Sequence, residues 1–173
     1  LNIPDMSADT GTTKSRGFSM LEMMAAVTVI AILGALALPS YLDRIARKQI
    51  EAAWPLTDVA KKPIEAFWAA KHIFPADNEA AGLPAADKIA SNEVSAISVQ
   101  DGAINITFGN RASGLIAGKV LTLRPAVMED APVVPVAWVC AKAEPPQKMT
   151  VRGIDKSNLP AVVLPIECRK LKP

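Results

Sequence analysis

Twenty-one consecutive residues near the start of the chain constrain it more than any other feature. From Phe18 to Leu38, 17 of 21 positions are hydrophobic, the exceptions being Ser19, Glu22, Thr28 and Gly34. As a helix this run spans about 32 Å, close to the roughly 30 Å hydrocarbon core of a bilayer. Arg16 stands before it and Asp43 is the first charge after it. Without the run, the remaining positions are about 46% hydrophobic, an ordinary globular level, so the positive mean hydropathy of +0.23 comes from this one place. A secretory signal peptide has an apolar stretch of about 7–15 residues and a small-residue cleavage site. Here the stretch is longer, carries Glu22 and ends in Leu38-Pro39-Ser40. A buried core helix is the other reading that periodicity leaves open. An ionised carboxylate costs roughly 2.5–3.5 kcal/mol at a bilayer centre and less near its edge, so Glu22 needs a reason to be there.

The residues Lys14-Ser15-Arg16-Gly17-Phe18-Ser19-Met20-Leu21-Glu22 resemble the cleavage and methylation site of type IV prepilins. The match extends to Pro39, which resembles the proline closing the family's apolar segment, and to the aromatic Tyr41. The resemblance implies a cut between Gly17 and Phe18 by a membrane-embedded peptidase, N-methylation of Phe18, and retention of Glu22 as the residue that sets assembly register. It implies a leader at 1–17, a transmembrane and polymerisation helix at 18–39, and a periplasmic or extracellular head at 40–173. The implied partners are further copies of the chain in a helical filament, the prepilin peptidase and methyltransferase, an inner-membrane assembly platform, and the membrane before assembly. Neither a cofactor nor a metal is implied. A cut at Gly17 would create a positive amine on Phe18, and Glu22, one turn inside the helix, can meet that amine on a neighbouring copy. Leaving one partner of a buried ion pair alone costs about 3–5 kcal/mol, which penalises a misregistered subunit.

Some features depart from the family pattern. A 17-residue leader is long for the phenylalanine-starting subclass, and initiation at Met6 would shorten it. Many family members carry glycine eight residues before the proline, where this chain has Ala31; its glycine is Gly34. Gly34 and Pro39 weaken a helix by about 1 and 3 kcal/mol and are its expected weak points, while the place of any melting in a filament stays open. Basic residues flank both ends of the run, Lys14 and Arg16 on one side and Arg44, Arg47 and Lys48 on the other, so charge bias leaves orientation open.

After Pro39 the pattern becomes amphipathic. Leu42, Ile45, Ala53, Leu56, Ala60, Ile64 and Phe67 recur near helical spacing, with Gln49 interrupting. The spacing predicts a helix to about residue 70, bent or broken at Pro55 and Pro63. Residues 73–92 read as a loop, with room for a short helix. Val94–Val99 and Ala103–Phe108 flank Asp101-Gly102, a two-residue hairpin signal. Lys119–Leu123 and Val136–Cys140 read as two more strands, and the segment from Pro125 to Pro135 as a connection too proline-rich for a central strand. The expected class is α+β: a long N-terminal helix on a roughly four-stranded antiparallel sheet, with a C-terminal loop closed by Cys140 and Cys168. In an oxidising compartment these cysteines should pair; two buried thiols are the alternative.

With 19 basic against 17 acidic residues, the net charge of +2 gives no support to a dedicated nucleic-acid binder, although Arg169, Lys170 and Lys172 form a basic tail. Catalysis has no constellation. His72 is the sole histidine, Glu129-Asp130 reads as a solvated acidic turn, and Asn105-Ile106-Thr107 is a glycosylation triplet on an expected strand. Gly11-Thr12-Thr13-Lys14-Ser15 is only the end of a phosphate-loop pattern. The expected function is a structural pilus subunit serving adhesion, twitching motility or DNA uptake, located in the inner membrane and then outside the cell. The alternatives are a pseudopilin of a type II secretion system and a minor pilin that captures DNA at a filament tip. A cysteine-closed terminal loop favours the pilin.

Overall fold

The computed structural model of the protein describes residue 17, residues 19–131 and residues 133–170. The chain divides into two units, one ending at Leu38 and the other beginning at Pro39. Two helices, α1 (Met20–Ala52) and α2 (Trp54–Lys71), are separated by a single residue. At the break the Ala53 N–H turns back to the Ile50 carbonyl over three residues, at 3.1 Å, instead of four. Pro55 then falls in the first positions of α2, where a missing N–H costs nothing. Pro63, expected to act likewise, lies inside α2 and does not break it. It forfeits only the bond to the Val59 carbonyl, and the buried Ala60 and Ile64 keep that turn packed.

The face that the second unit buries on these helices is Ala46, Ile50, Ala53, Thr57, Ala60 and Ile64. Its alternating spacing of four and three is that of one helix face. The anticipated stripe lies slightly to one side: Leu42 is exposed, Ile45 is half-buried, and Gln49 faces the head, accepting the Ser113 N–H at 2.8 Å. Alanine at three of the six positions lets the helices approach the sheet closely. Thr57 is tolerated there because its hydroxyl donates to the Trp54 carbonyl at 2.7 Å.

The sheet is an antiparallel meander of β1 (Val94–Gln100), β2 (Ala103–Phe108), β3 (Val120–Val127) and β4 (Ala137–Cys140), with the two-residue β5 (Thr150–Val151) also paired to β3. Asp101 and Gly102 turn the first hairpin with φ of 49° and 80°, the left-handed pair that a two-residue turn requires. Ile104, Ile106 and Phe108 of β2 enter the core beside Leu121 and Leu123 of β3 and Ile50 and Ile64 of the helices. Trp138 on β4 donates its indole N–H to Glu65 of α2 at 2.7 Å, a side-chain tie from sheet to helix.

The strand β3 extends through Pro125, which the sequence assigns to a connection. The Pro125 carbonyl accepts the Arg152 N–H at 2.8 Å. In a strand, N–H and C=O of one residue point the same way, so the missing donor lies on that same edge. There the pairing with β2 has already ended at Ile104–Leu123, and the pairing with β5 starts at Ala126. The proline forfeits only the reciprocal bond to the Arg152 carbonyl, at the very end of the β5 pairing.

The segment after β5 covers the other face of the sheet. Lys156 N–H donates to the Thr122 hydroxyl at 3.0 Å, and that hydroxyl donates to the Asn105 amide oxygen at 2.8 Å. On the opposite edge of β3, beyond the end of β4, Val120 N–H donates to the Asn158 side chain at 2.7 Å and Thr122 N–H to the Ser157 hydroxyl at 2.9 Å. One irregular stretch thus pairs with both edges of β3 and seals Asn105 and Thr122 beneath it. Gly153 permits the crossing: its φ is 82°, and a Cβ there would lie 2.7 Å from that of Ala103.

This stretch belongs to the loop closed by the Cys140–Cys168 disulfide, which spans 28 residues of separation. Closing such a loop restricts the unfolded chain by about 3.5 kcal/mol. Reduction, or the double substitution Cys140→Ala with Cys168→Ala, should lower head stability by roughly that amount in urea unfolding. Unfolding curves that superimpose with and without reductant would contradict it.

Candidate assembly site on the N-terminal helix

The first turn of α1 is built by Ser19 and Glu22. The Ser19 hydroxyl accepts the Leu21 N–H at 3.3 Å, and its carbonyl accepts the Met23 N–H at 3.0 Å. Ser19 is therefore the cap, and Glu22 is the third helical residue, the serine-x-x-glutamate spacing of a capping box. Sequence reasoning missed this pattern, although the residues display it. Four N–H groups at a helix start lack intrahelical acceptors and carry partial positive charge, so a carboxylate is favoured there. Glu22 is exposed. Gly17, also exposed, precedes it; Phe18 and residues 1–16, Gly11–Ser15 among them, lie outside the described residues.

From Met20 onward the helix is apolar on every side. An 18-residue window has a mean hydropathy of 2.3, and none of it is buried. Met20 is 86% exposed and Leu36 69%. The only other polar side chain inside the run, Thr28, satisfies its hydroxyl on the Met24 carbonyl at 2.8 Å, which removes its demand for water. Gly34 and Pro39 are both helical here. A Cβ at Gly34 would meet nothing within 4 Å.

Other candidate residues resolve into structural roles. His72 caps α2 in a left-handed conformation, its N–H on the Trp68 carbonyl at 2.8 Å, and its ring meets Trp68 edge-on. Glu129 forms an ion pair with Arg152. Asn105 is 5% exposed and hydrogen-bonded, so its triplet offers no acceptor for a glycan in the folded head. Arg169 donates to the Leu164 carbonyl at 2.9 Å, tying the chain after the disulfide to the loop it closes. Lys172 lies outside the described residues. Among the described residues, no group of three His, Cys, Asp or Glu side chains is placed to hold a metal ion.

An exposed apolar helix on the same chain as a disulfide-stapled α+β head describes a structural subunit. Comparison with known proteins specifies the kind. Residues 46–169 match the pilin family of bacterial filaments, and residues 12–38 match the prokaryotic N-terminal methylation motif. The chain belongs to the type IV pilin family. Fimbrial protein EcpC of Eikenella corrodens is 30% identical over 159 residues, 89% of this chain and 90% of that protein. Type IV major pilin protein PilE of Neisseria gonorrhoeae is 30% identical over 131 residues, 75% and 76% of the two chains. A fimbrial protein of Moraxella nonliquefaciens reaches 46% identity over 43 residues, 25% of this chain and 28% of its own.

A charge in the middle of the run should cost about 2.5–3.5 kcal/mol of insertion free energy. Ile30→Lys should therefore release the protein from membranes on alkaline extraction, while the parent chain stays behind. Equal retention of both would contradict a membrane role for the helix.

Proposed function

We propose that the chain is a filament-forming pilin processed between Gly17 and Phe18, with Phe18 N-methylated and Glu22 reading the register of assembly. Residues 18–39 hold the precursor in the inner membrane and then line the interior of an extracellular filament that serves adhesion, twitching motility or DNA uptake. The partners in this reading are other copies of the chain, the processing peptidase and methyltransferase, and an inner-membrane platform that adds subunits.

The observation that carries the proposal is Glu22, the one charged residue between Met20 and Leu42, in the first turn of a helix whose large apolar side chains there are exposed on all sides. A cut after Gly17 would leave an amine four residues before it. In a neighbouring copy shifted along the bundle, that amine is the partner of opposite charge that a carboxylate taken out of water requires. A copy in the wrong register leaves both charges unpaired. Disulfide closure of the head supports the same reading, since a subunit exposed outside the cell benefits from a staple that does not depend on partners.

Glu22→Ala should yield a membrane-inserted protein with a normally folded head and few or no filaments. Filament counts by electron microscopy, set beside the amount of membrane-bound subunit, provide the measurement. Filaments at the parental number would contradict the role assigned to Glu22.

A further inference from the structure

The end of the head at which α2 stops carries a cavity of about 790 Å³, within the volume range of small-molecule sites. Its walls come from four separate segments: Trp68, His72 and Phe74 at and just beyond the end of α2, Asp101 in the β1–β2 turn, Glu129 after β3, and Arg152 after β5. The rings of Trp68 and Phe74 stack at 4.6 Å, and His72 meets Trp68 edge-on at 6.0 Å, so one side is an aromatic wall. Arg152 and Glu129 pair with each other at half-exposed positions. The backbone holds Arg152 in place, since its own N–H is spent on Pro125.

One charged group of the lining remains unused: the Asp101 carboxylate makes no hydrogen bond or ion pair among the described residues. A simple anion would confront both Asp101 and Glu129. A simple cation would use Asp101 and the aromatic faces but would be repelled by Arg152. A neutral polyhydroxylated ring satisfies every group: C–H edges lie on the aromatic wall, hydroxyls donate to the carboxylates, and other hydroxyls accept from Arg152 and His72.

We propose that this cavity binds a hexopyranose, as the terminal ring of a glycan whose remainder leaves past the half-exposed Arg152 and Glu129. The site is separate from the first turn of α1, and the proposal does not depend on processing at Gly17 or on Glu22.

The test uses the full chain in a polyoxyethylene detergent, whose headgroup carries no sugar ring. Saturation-transfer NMR is recorded with the methyl glycosides of glucose, galactose, mannose and N-acetylglucosamine, and with lactose. Two variants accompany the parent. Asp101→Asn suits the left-handed turn position, and Arg152→Gln keeps the main-chain bond to Pro125. At least one of these sugars should receive saturation, and its affinity should fall about tenfold in each variant, as loss of a hydrogen bond to a charged group implies. No transfer to any of the five sugars, or an affinity unchanged in either variant, would overturn the proposal.

Discussion

The constraint on which the rest depends is a helix that its own chain leaves uncovered. Between Met20 and Leu42 the large apolar side chains are exposed around the whole circumference of α1. Each is worth about 1.5–3 kcal/mol when removed from water, so the segment has no stable existence as an exposed helix in solution. A bilayer covers such a surface, and so does a bundle of identical helices. The same side chains serve in both settings because neither requires a polar match from them. Glu22 is the exception. Lipid alone offers it no partner, whereas an amine at the start of a neighbouring helix does, and in the proposed filament that difference converts general adhesion into a defined offset.

The head solves a different problem. Its sheet has two faces to cover and only one pair of helices. Small residues on the inner stripe, Ala46, Ala53 and Ala60, bring the helices close to one face. The other is sealed by an irregular stretch between Val151 and Asn158 that spends its polar groups on both edges of β3. Such a stretch has little ordering tendency of its own, and the Cys140–Cys168 bridge closes the loop that contains it. The staple therefore holds a layer of the fold as well as the chain end. That crossing also brings Arg152 beside Glu129 and the end of α2, so the cavity in the head depends on the same loop.

Much of this was legible in the residues. The apolar run and its carboxylate needed no structure, and the Asp101-Gly102 turn named its two strands because few residues accept that backbone. The α+β class and the cysteine-closed loop followed from pattern and count. What escaped was decided by contacts between distant segments. Pro125 costs β3 little because β2 has ended at its edge and only the last residue beside β5, Arg152, faces it, a coincidence of three strands that local composition cannot express. The strand β5, two residues long, exists by virtue of its partner. The buried helix stripe differs from the expected one because alanine and threonine were chosen there for closeness, and apolar periodicity alone favours the larger Leu42 and Ile45. In the first turn of α1, the serine-x-x-glutamate spacing of Ser19 and Glu22 is itself a legible capping signal. The cavity gave no signal in sequence, its walls being drawn from four segments.

The most direct measurement of the central claim is electron microscopy of sheared surface filaments, with N-terminal sequencing of the subunit they contain. The account predicts filaments whose subunit begins at methylated Phe18, four residues before Glu22. Cells that express and membrane-insert the chain yet carry no filament of it, or filaments whose subunit begins at another residue, would contradict it.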